Sequence, residues 1–263
     1  MESTKIKVFL SDSQVLFREG IHFTLSAEED FEVTGETTNN EEALSFIEAN
    51  PPNIVILNIK NDKLDGPSVT RRIKRNLPSV LVMLMADRDD EELLYSAIKC
   101  GASAYLTKDI DPERLLDLIR VLAQGSQPMM EFLLLPVVAS RILEEFEALS
   151  PLSEQMDSLL ARLSSGEAEI LSSITEGNDI EKIKADSNCD EETIRKHLRS
   201  VRSKLVANDQ AQTMIEVVQK GLAPVGPGTG YAAMYVTKKE FNEFKEALAD
   251  QFRSLISESH KLI

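Results

Sequence analysis

Asn53-Ile54-Val55-Ile56-Leu57-Asn58 is the stretch that decides the fold. Four aliphatic residues in a row, without polar alternation, mark a strand buried on both faces, as in the middle of a parallel sheet with helices on either side. Working outward, residues 7–10 and 31–34 read as strands before it, and residues 80–85 and 104–106 as strands after it. Amphipathic segments fall between and after them: 17–25, then 41–49 ended by Pro51-Pro52, then 68–75, 90–99 stopped at Gly101, and 112–123 with Pro112 in its first turn. Five strand–helix units make a (βα)₅ doubly wound α/β domain over residues 1–125. Its crossovers should be right-handed, and its chemistry belongs at the carboxyl ends of the strands.

Beyond this domain the pattern changes. Gly125-Ser126-Gln127-Pro128 opens a helical linker, residues 126–162, with an interruption expected near Ser150-Pro151. Residues 163–222 hold four short helical segments and suit a small all-α domain. Pro224-Val225-Gly226-Pro227-Gly228-Thr229-Gly230 lies in a second, flexible linker, 223–236. Residues 237–263 form an amphipathic helix that opens with a capping box from Thr237 and Glu240. Phe241, Phe244, Leu248, Phe252, Leu255 and Ile256 make its apolar stripe. The stripe wants a partner, either the same helix of a second protomer in a short coiled coil or a surface of its own chain.

The chain of 263 residues carries 29 Lys and Arg against 44 Asp and Glu, a net charge of -15. No apolar run is long enough for a membrane span, and the opening residues lack the pattern of a secretory signal, so a cytoplasmic protein is expected. Cys100 and Cys189 make neither a disulfide framework nor a metal site, and each reads as filling a small apolar space. No metal, cofactor or catalytic residue is expected. The overall acidity argues against nucleic acid, whose binders usually carry a basic excess. Local distribution reverses that inference: residues 193–205 contain Arg195, Lys196, Arg199, Arg202 and Lys204 and no acid.

The strand ends of the first domain carry Ser11-Asp12-Ser13, Asn58, Met85-Ala86 and Lys108. With Asn58-Ile59-Lys60-Asn61-Asp62-Lys63-Leu64-Asp65-Gly66 and the run from Gly101 to Asp109, this set resembles the receiver domain of two-component response regulators. The resemblance implies a carboxylate nucleophile, an acidic pair for Mg²⁺, and a hydroxyl, a lysine and a switch aromatic that read the phosphoryl group. Here those positions hold Asn58, Asp12 with Ser13, Met85, Lys108 and Tyr105. An amide cannot form an acyl phosphate. The site is expected to be degenerate, serving either a switch driven by another input or a scaffold kept for dimerisation and packing, with Asp12 and Lys108 paired in the second case.

Residues 163–222 resemble the LuxR/NarL-type helix-turn-helix domain. The matching stretches are Leu163 to Leu171, Glu176-Gly177 through Ala185, and Asp190 to Leu198, with Lys204-Leu205 ending the recognition helix. Helical geometry agrees. Ile194, Leu198, Val201 and Leu205 share one face, and Arg195, Arg199 and Arg202 another. Thr193, Arg195, Lys196 and Arg199 are candidates for base edges, and Arg202 and Lys204 for phosphates. His197 reads as a packing or capping residue.

These readings converge on a DNA-binding transcriptional regulator, an atypical response regulator that works without aspartyl phosphorylation and binds paired half-sites of double-stranded DNA as a homodimer. The alternative is a protein-interaction adaptor, with a degenerate receiver that binds another regulatory protein and no sequence-specific DNA binding.

Overall fold

A computed structural model describes residues 5–61, 64–155, 160–187 and 189–219. The first domain alternates β1 (Ile6–Ser11), α1 (Val15–Ser26), β2 (Phe31–Thr37), α2 (Asn40–Ala49), β3 (Ile54–Asn58), α3 (Gly66–Asn76), β4 (Leu81–Ala86), α4 (Glu91–Lys99), β5 (Ala104–Thr107) and α5 (Pro112–Ala123). All pairings are parallel, and the strand order is β2-β1-β3-β4-β5. The chain reverses direction across the sheet between β1 and β3, so their carboxyl ends flank the crevice where such sheets bind ligands.

Strand β3 is buried at every residue. Ile54 and Ile56 join Leu25, Leu115 and Ile119 on one side of the sheet, while Val55 and Leu57 join Ile47, Val69 and Ile98 on the other. The helices start where acids and amides satisfy free N–H groups: Asn39, Asp65, Asp90 and Asp111 each cap one. Gly101, at φ +84°, ends the α4 turn in a conformation that glycine adopts without strain.

The second core-side cluster does not stop at the first domain. It continues through α6 (Met129–Phe132) and α7 (Pro136–Gln155) into α8 (Ser165–Thr175), α9 (Ile180–Ser187) and α10 (Glu191–Gln219). Met129, Leu133, Ile142 and Phe146 fill the space between the sheet domain and Leu171, Ile194, Leu198 and Val201. Among the described residues, no helix is long and apolar enough to cross a membrane.

Two expectations need correcting. Helix α7 runs through Ser150-Pro151 without interruption. Proline removes one N–H from the ladder, and here the burial of Ile142, Phe146 and Leu149 along the preceding turns outweighs that loss. The third and fourth helical segments of the all-α domain are one helix of 29 residues, α10, which passes Lys204-Leu205 without ending. No Gly or Pro follows until Gly221, and Ala207, Gln210, Ala211 and Gln212 favour continuation. The capping box and apolar stripe of residues 237–263 lie outside the described residues.

Gly66 stands where α3 starts beneath the end of β3. A Cβ there would lie 2.8 Å from Leu84 Cδ2, 2.9 Å from the Asn58 carbonyl oxygen and 3.0 Å from Ile59 Cα. Backbone atoms cannot swing aside as a flexible side chain can. Gly66→Ala should therefore lower stability by about 1–3 kcal/mol in urea denaturation; an unchanged midpoint would show that the loop has room to move.

Candidate site at the strand ends and on the basic helix

The crevice is built by strand register. Asn58 pairs with Met85, and Ala86 with Thr107, so the residues at the ends of β3, β4 and β5 stand side by side. Asp12 follows β1 and is buried, as are Asn58 and Met85, whereas Ser13 is exposed. Lys108 Nζ lies 2.8 Å from Asp12 Oδ2 and 2.9 Å from Asp87 Oδ1. The expected pairing of Asp12 with Lys108 is present. Asp87 was not singled out in the sequence; its place one residue beyond β4 is the signal that could have found it. The Lys108 ammonium, followed in effect by Gln14, holds the Asp87 carboxyl below its ordinary range.

The surrounding groups are pinned. The other Asp12 carboxylate oxygen accepts from the Gln14 amide at 2.8 Å, and Arg18 Nη1 donates to the Asp12 carbonyl at 2.9 Å. Asn40, fully buried, accepts from Ser11 Oγ and donates to the carbonyls of Asn58 and Leu64. Its amide thereby ties the loop after β3 to the end of β1. Tyr105 is buried, with its hydroxyl donating to the Asp90 carbonyl at 3.4 Å. Burial raises that phenol above its usual range. Among the described residues no group of three or more His, Cys, Asp or Glu is placed to hold a metal ion.

Helix α10 starts on Asp190, whose carboxylate accepts from the Thr193 amide at 2.7 Å. Ile194, Leu198, Val201 and Leu205 are buried as the helical spacing requires. The cations are disposed unequally. Lys196 and Arg199 face solvent, with Arg199 3.8 Å from Glu192. Arg195 is shared between Glu191 at 2.8 Å and Glu131 at 2.9 Å. Lys204 lies 2.6 Å from Glu167, a carboxylate that burial would raise but that Lys204 and neighbouring hydrogen bonds hold below its usual range. Arg202 donates from Nη2 to the Ala102 carbonyl at 2.6 Å, and burial lowers its guanidinium. Arg202 and Lys204 therefore face protein in this arrangement, not the solvent side from which a phosphate would come. Thr193 is half-buried, and His197 sits against Gly166. Cys100 is fully buried, which pushes its thiol up to about 12, and Cys189 packs on the edge of the core.

The contact between helix and sheet domain has its own chemistry. Asp209, on α10, accepts from Arg71 Nε at 2.5 Å and from Nη2 at 3.1 Å. Lys99 of α4 lies 3.8 Å from Asp209 and 2.7 Å from Glu145 of α7. Tyr95 donates to Glu145 at 2.8 Å beneath the Arg141 guanidinium, 4.3 Å from its ring. No local sequence pattern marks Asp209 or Arg71, which are 138 residues apart.

An α/β domain with its crevice at the strand ends, packed on three helices of which the last carries a basic face, defines a signal-receiving domain joined to a DNA-reading one. Comparison with known proteins agrees. Residues 8–120 match the response regulator receiver domain, and residues 161–217 match the luxR family of bacterial regulatory proteins. The chain thus carries a response regulator receiver domain followed by a LuxR-type helix-turn-helix domain, the two-domain plan of DNA-binding transcriptional response regulators. It is 28% identical over 236 residues to the transcriptional regulatory protein DegU of Brevibacillus brevis, covering 86% of this chain and 98% of that one. It is 27% identical to the response regulator protein VraR of Staphylococcus aureus over 217 residues, 82% of this chain and 98% of that one. Among solved structures, the receiver domain of the putative response regulator NarL from Mycobacterium tuberculosis is similar, with 28% identity, a TM-score of 0.45, and 47% of this chain and 99% of that one covered.

Lys74, beside Arg202, supplies a pH test. Burial first, then repulsion from Arg202, brings its ammonium down to about 8 from an ordinary 10.5. Below about 8 the lysine is charged in both folded and unfolded chains, and the cost of burying it is fully present. Between 8 and 10.5 the folded chain has released a proton that the unfolded chain still holds, so this group's contribution to stability rises with pH. Urea denaturation should show wild type gaining on Lys74→Met across that window. A constant difference would contradict the assignment.

Proposed function

We propose that this regulator reads DNA as a homodimer and is governed by an input other than aspartyl phosphorylation. The observation that carries the reading is the charge on Lys108. Its ammonium already lies between the carboxylates of Asp12 and Asp87, at 2.8 and 2.9 Å, so the group that the receiver resemblance assigns to a phosphoryl oxygen has built-in counter-ions. The position assigned to the nucleophile is Asn58, whose amide cannot accept a phosphoryl group. Met85, at the position assigned to the hydroxyl, is apolar and fully buried.

The Mg²⁺ implied by the receiver family does not fit these residues. A hard divalent ion wants several oxygen ligands. Among the described residues Asp12 is the one buried carboxylate in the crevice, it is occupied by Lys108, and Ser13 points to solvent. No step is routed through that metal.

On α10, the exposed N-terminal half suits base edges in the major groove, with Arg195, Lys196 and Arg199 as the reading residues and Thr193 beside them. Arg202 joins them on phosphates once α10 has left the receiver, and Lys204 once a phosphate displaces Glu167 of α8. Two half-site contacts on one dimer gain effective concentration, which an acidic protein with weak nonspecific attraction to DNA needs. Leu16 and Phe23, 89% and 78% exposed on α1, supply an apolar face for a second protomer. The stripe from Phe241 to Ile256 is a further proposed contact, outside the described residues.

The test uses DNA fragments selected by the full-length protein from a random pool. Arg199→Ala should weaken their binding in gel shifts by about 1–3 kcal/mol, roughly five- to 150-fold, with an unchanged circular dichroism spectrum. A small-molecule phosphoryl donor, removed by gel filtration before the gel shift, should leave wild-type affinity unchanged and deposit no stoichiometric label. Full affinity in Arg199→Ala would sink the helix assignment, and a hydroxylamine-labile label would sink the unphosphorylated mode.

A further inference from the structure

A cleft of about 450 Å³ lies where α10 meets the sheet domain, bounded by the end of α3, the turn before β5 and residues 125–127. Its charged lining among the described residues is Lys74, Arg199 and Arg202, and no carboxylate lines it. Its floor is apolar, from Leu81, Leu122, Met130 and Val206. Lys74 Nζ donates to the Val80 carbonyl at 2.7 Å and to Ser103 Oγ at 3.4 Å, both neutral acceptors. Arg202 donates to one carbonyl, and its buried Nε has no acceptor.

Elsewhere in the same contact zone cations have anions: Arg71 has Asp209, and Lys99 has Glu145. Charges taken out of water without a counter-ion are costly. Lys74 and Arg202 are both largely buried and repel each other. Among the described residues neither has an anionic partner.

We propose that this cleft binds a small phosphate-bearing molecule, its phosphate held by Lys74, Arg199 and Arg202 and its apolar body seated on Leu122, Met130 and Val206. Phosphate fits better than carboxylate on charge, because three cations face a group able to carry two negative charges. It also fits on geometry, because a guanidinium fork and an ammonium together match several phosphate oxygens. The volume lies within the range of small-molecule pockets. Because α10 forms one wall, the occupant holds the recognition helix on the receiver. That consequence rests on the DNA-binding reading, whereas the site itself does not.

The experiment is isothermal titration of the full-length protein with inorganic phosphate, phenyl phosphate and acetate at matched ionic strength. Phenyl phosphate should bind saturably and more tightly than inorganic phosphate, and acetate should not bind. Lys74→Met should weaken phenyl phosphate by about tenfold or more, the loss expected for one charge-assisted contact. If Lys74→Met fails to fold by circular dichroism, Ser126→Glu, which tethers a carboxylate at the exposed rim, should weaken it instead. No saturable binding of either phosphate probe, binding unaltered in a folded variant, or tighter binding of acetate would overturn the proposal. A gel shift with selected DNA tests the consequence separately: phenyl phosphate should weaken wild-type binding and leave Lys74→Met unaffected. Loss of that effect alone, with the titration intact, would refute the link to DNA and not the site.

Discussion

Asp209 is a carboxylate 5% exposed to solvent, and it is held by an arginine from another domain. A buried charge must stay paired, so wherever Asp209 is buried Arg71 has to be within reach. This pair sets the register of the last helix against α3 and α4. Lys99 extends it to Glu145 on α7, and Asn208, next in the chain, exchanges two hydrogen bonds with the backbone of Ala161 at 2.7 and 2.9 Å. The basic face of α10 is therefore not free. Its C-terminal cations lie against protein, and of its N-terminal ones Lys196 and Arg199 stay exposed while Arg195 is tied to Glu131 and Glu191.

The crevice and the helix show the same economy of charge. Lys108 is neutralised by two aspartates of its own domain, Lys204 by Glu167, and Arg195 by Glu131 and Glu191. An acid excess that looks unfavourable for DNA binding thus has local uses, holding cations in place. Lys74 and Arg202 are the departure from that rule among the described residues lining the cleft.

Much of this was legible in the sequence for a simple reason: it rests on local periodicity. The unbroken Ile54–Leu57 run could only be a strand covered on both sides, and Ile194, Leu198, Val201 and Leu205 could only be one buried helical face. The strand ends then brought Asp12, Asn58, Met85 and Lys108 together through topology. What escaped depends on distant partners. Nothing near Asp209 announces Arg71, and nothing near Arg202 announces the Ala102 carbonyl. The run through Pro151 and the unbroken length of α10 escaped for the opposite reason, because packing and the absence of any Gly or Pro between Leu205 and Gly221 overrode signals read as stops. Whether the cations of α10 meet DNA or protein is likewise a property of the docked arrangement and of no local pattern.

The central claim is that the receiver holds the DNA-reading helix through a buried ion pair that phosphorylation does not control. Arg71→Ala tests it most directly, because Arg71 lies on the receiver and its loss leaves Asp209, in the docked state alone, buried with only the more distant Lys99 at 3.8 Å. Removing one partner of such a pair costs roughly 3–5 kcal/mol, so the docked population should fall. Apparent affinity for selected DNA, measured by fluorescence anisotropy, should then rise about tenfold or more as the competent fraction grows. Unchanged or weaker DNA binding in a folded Arg71→Ala protein would contradict the account.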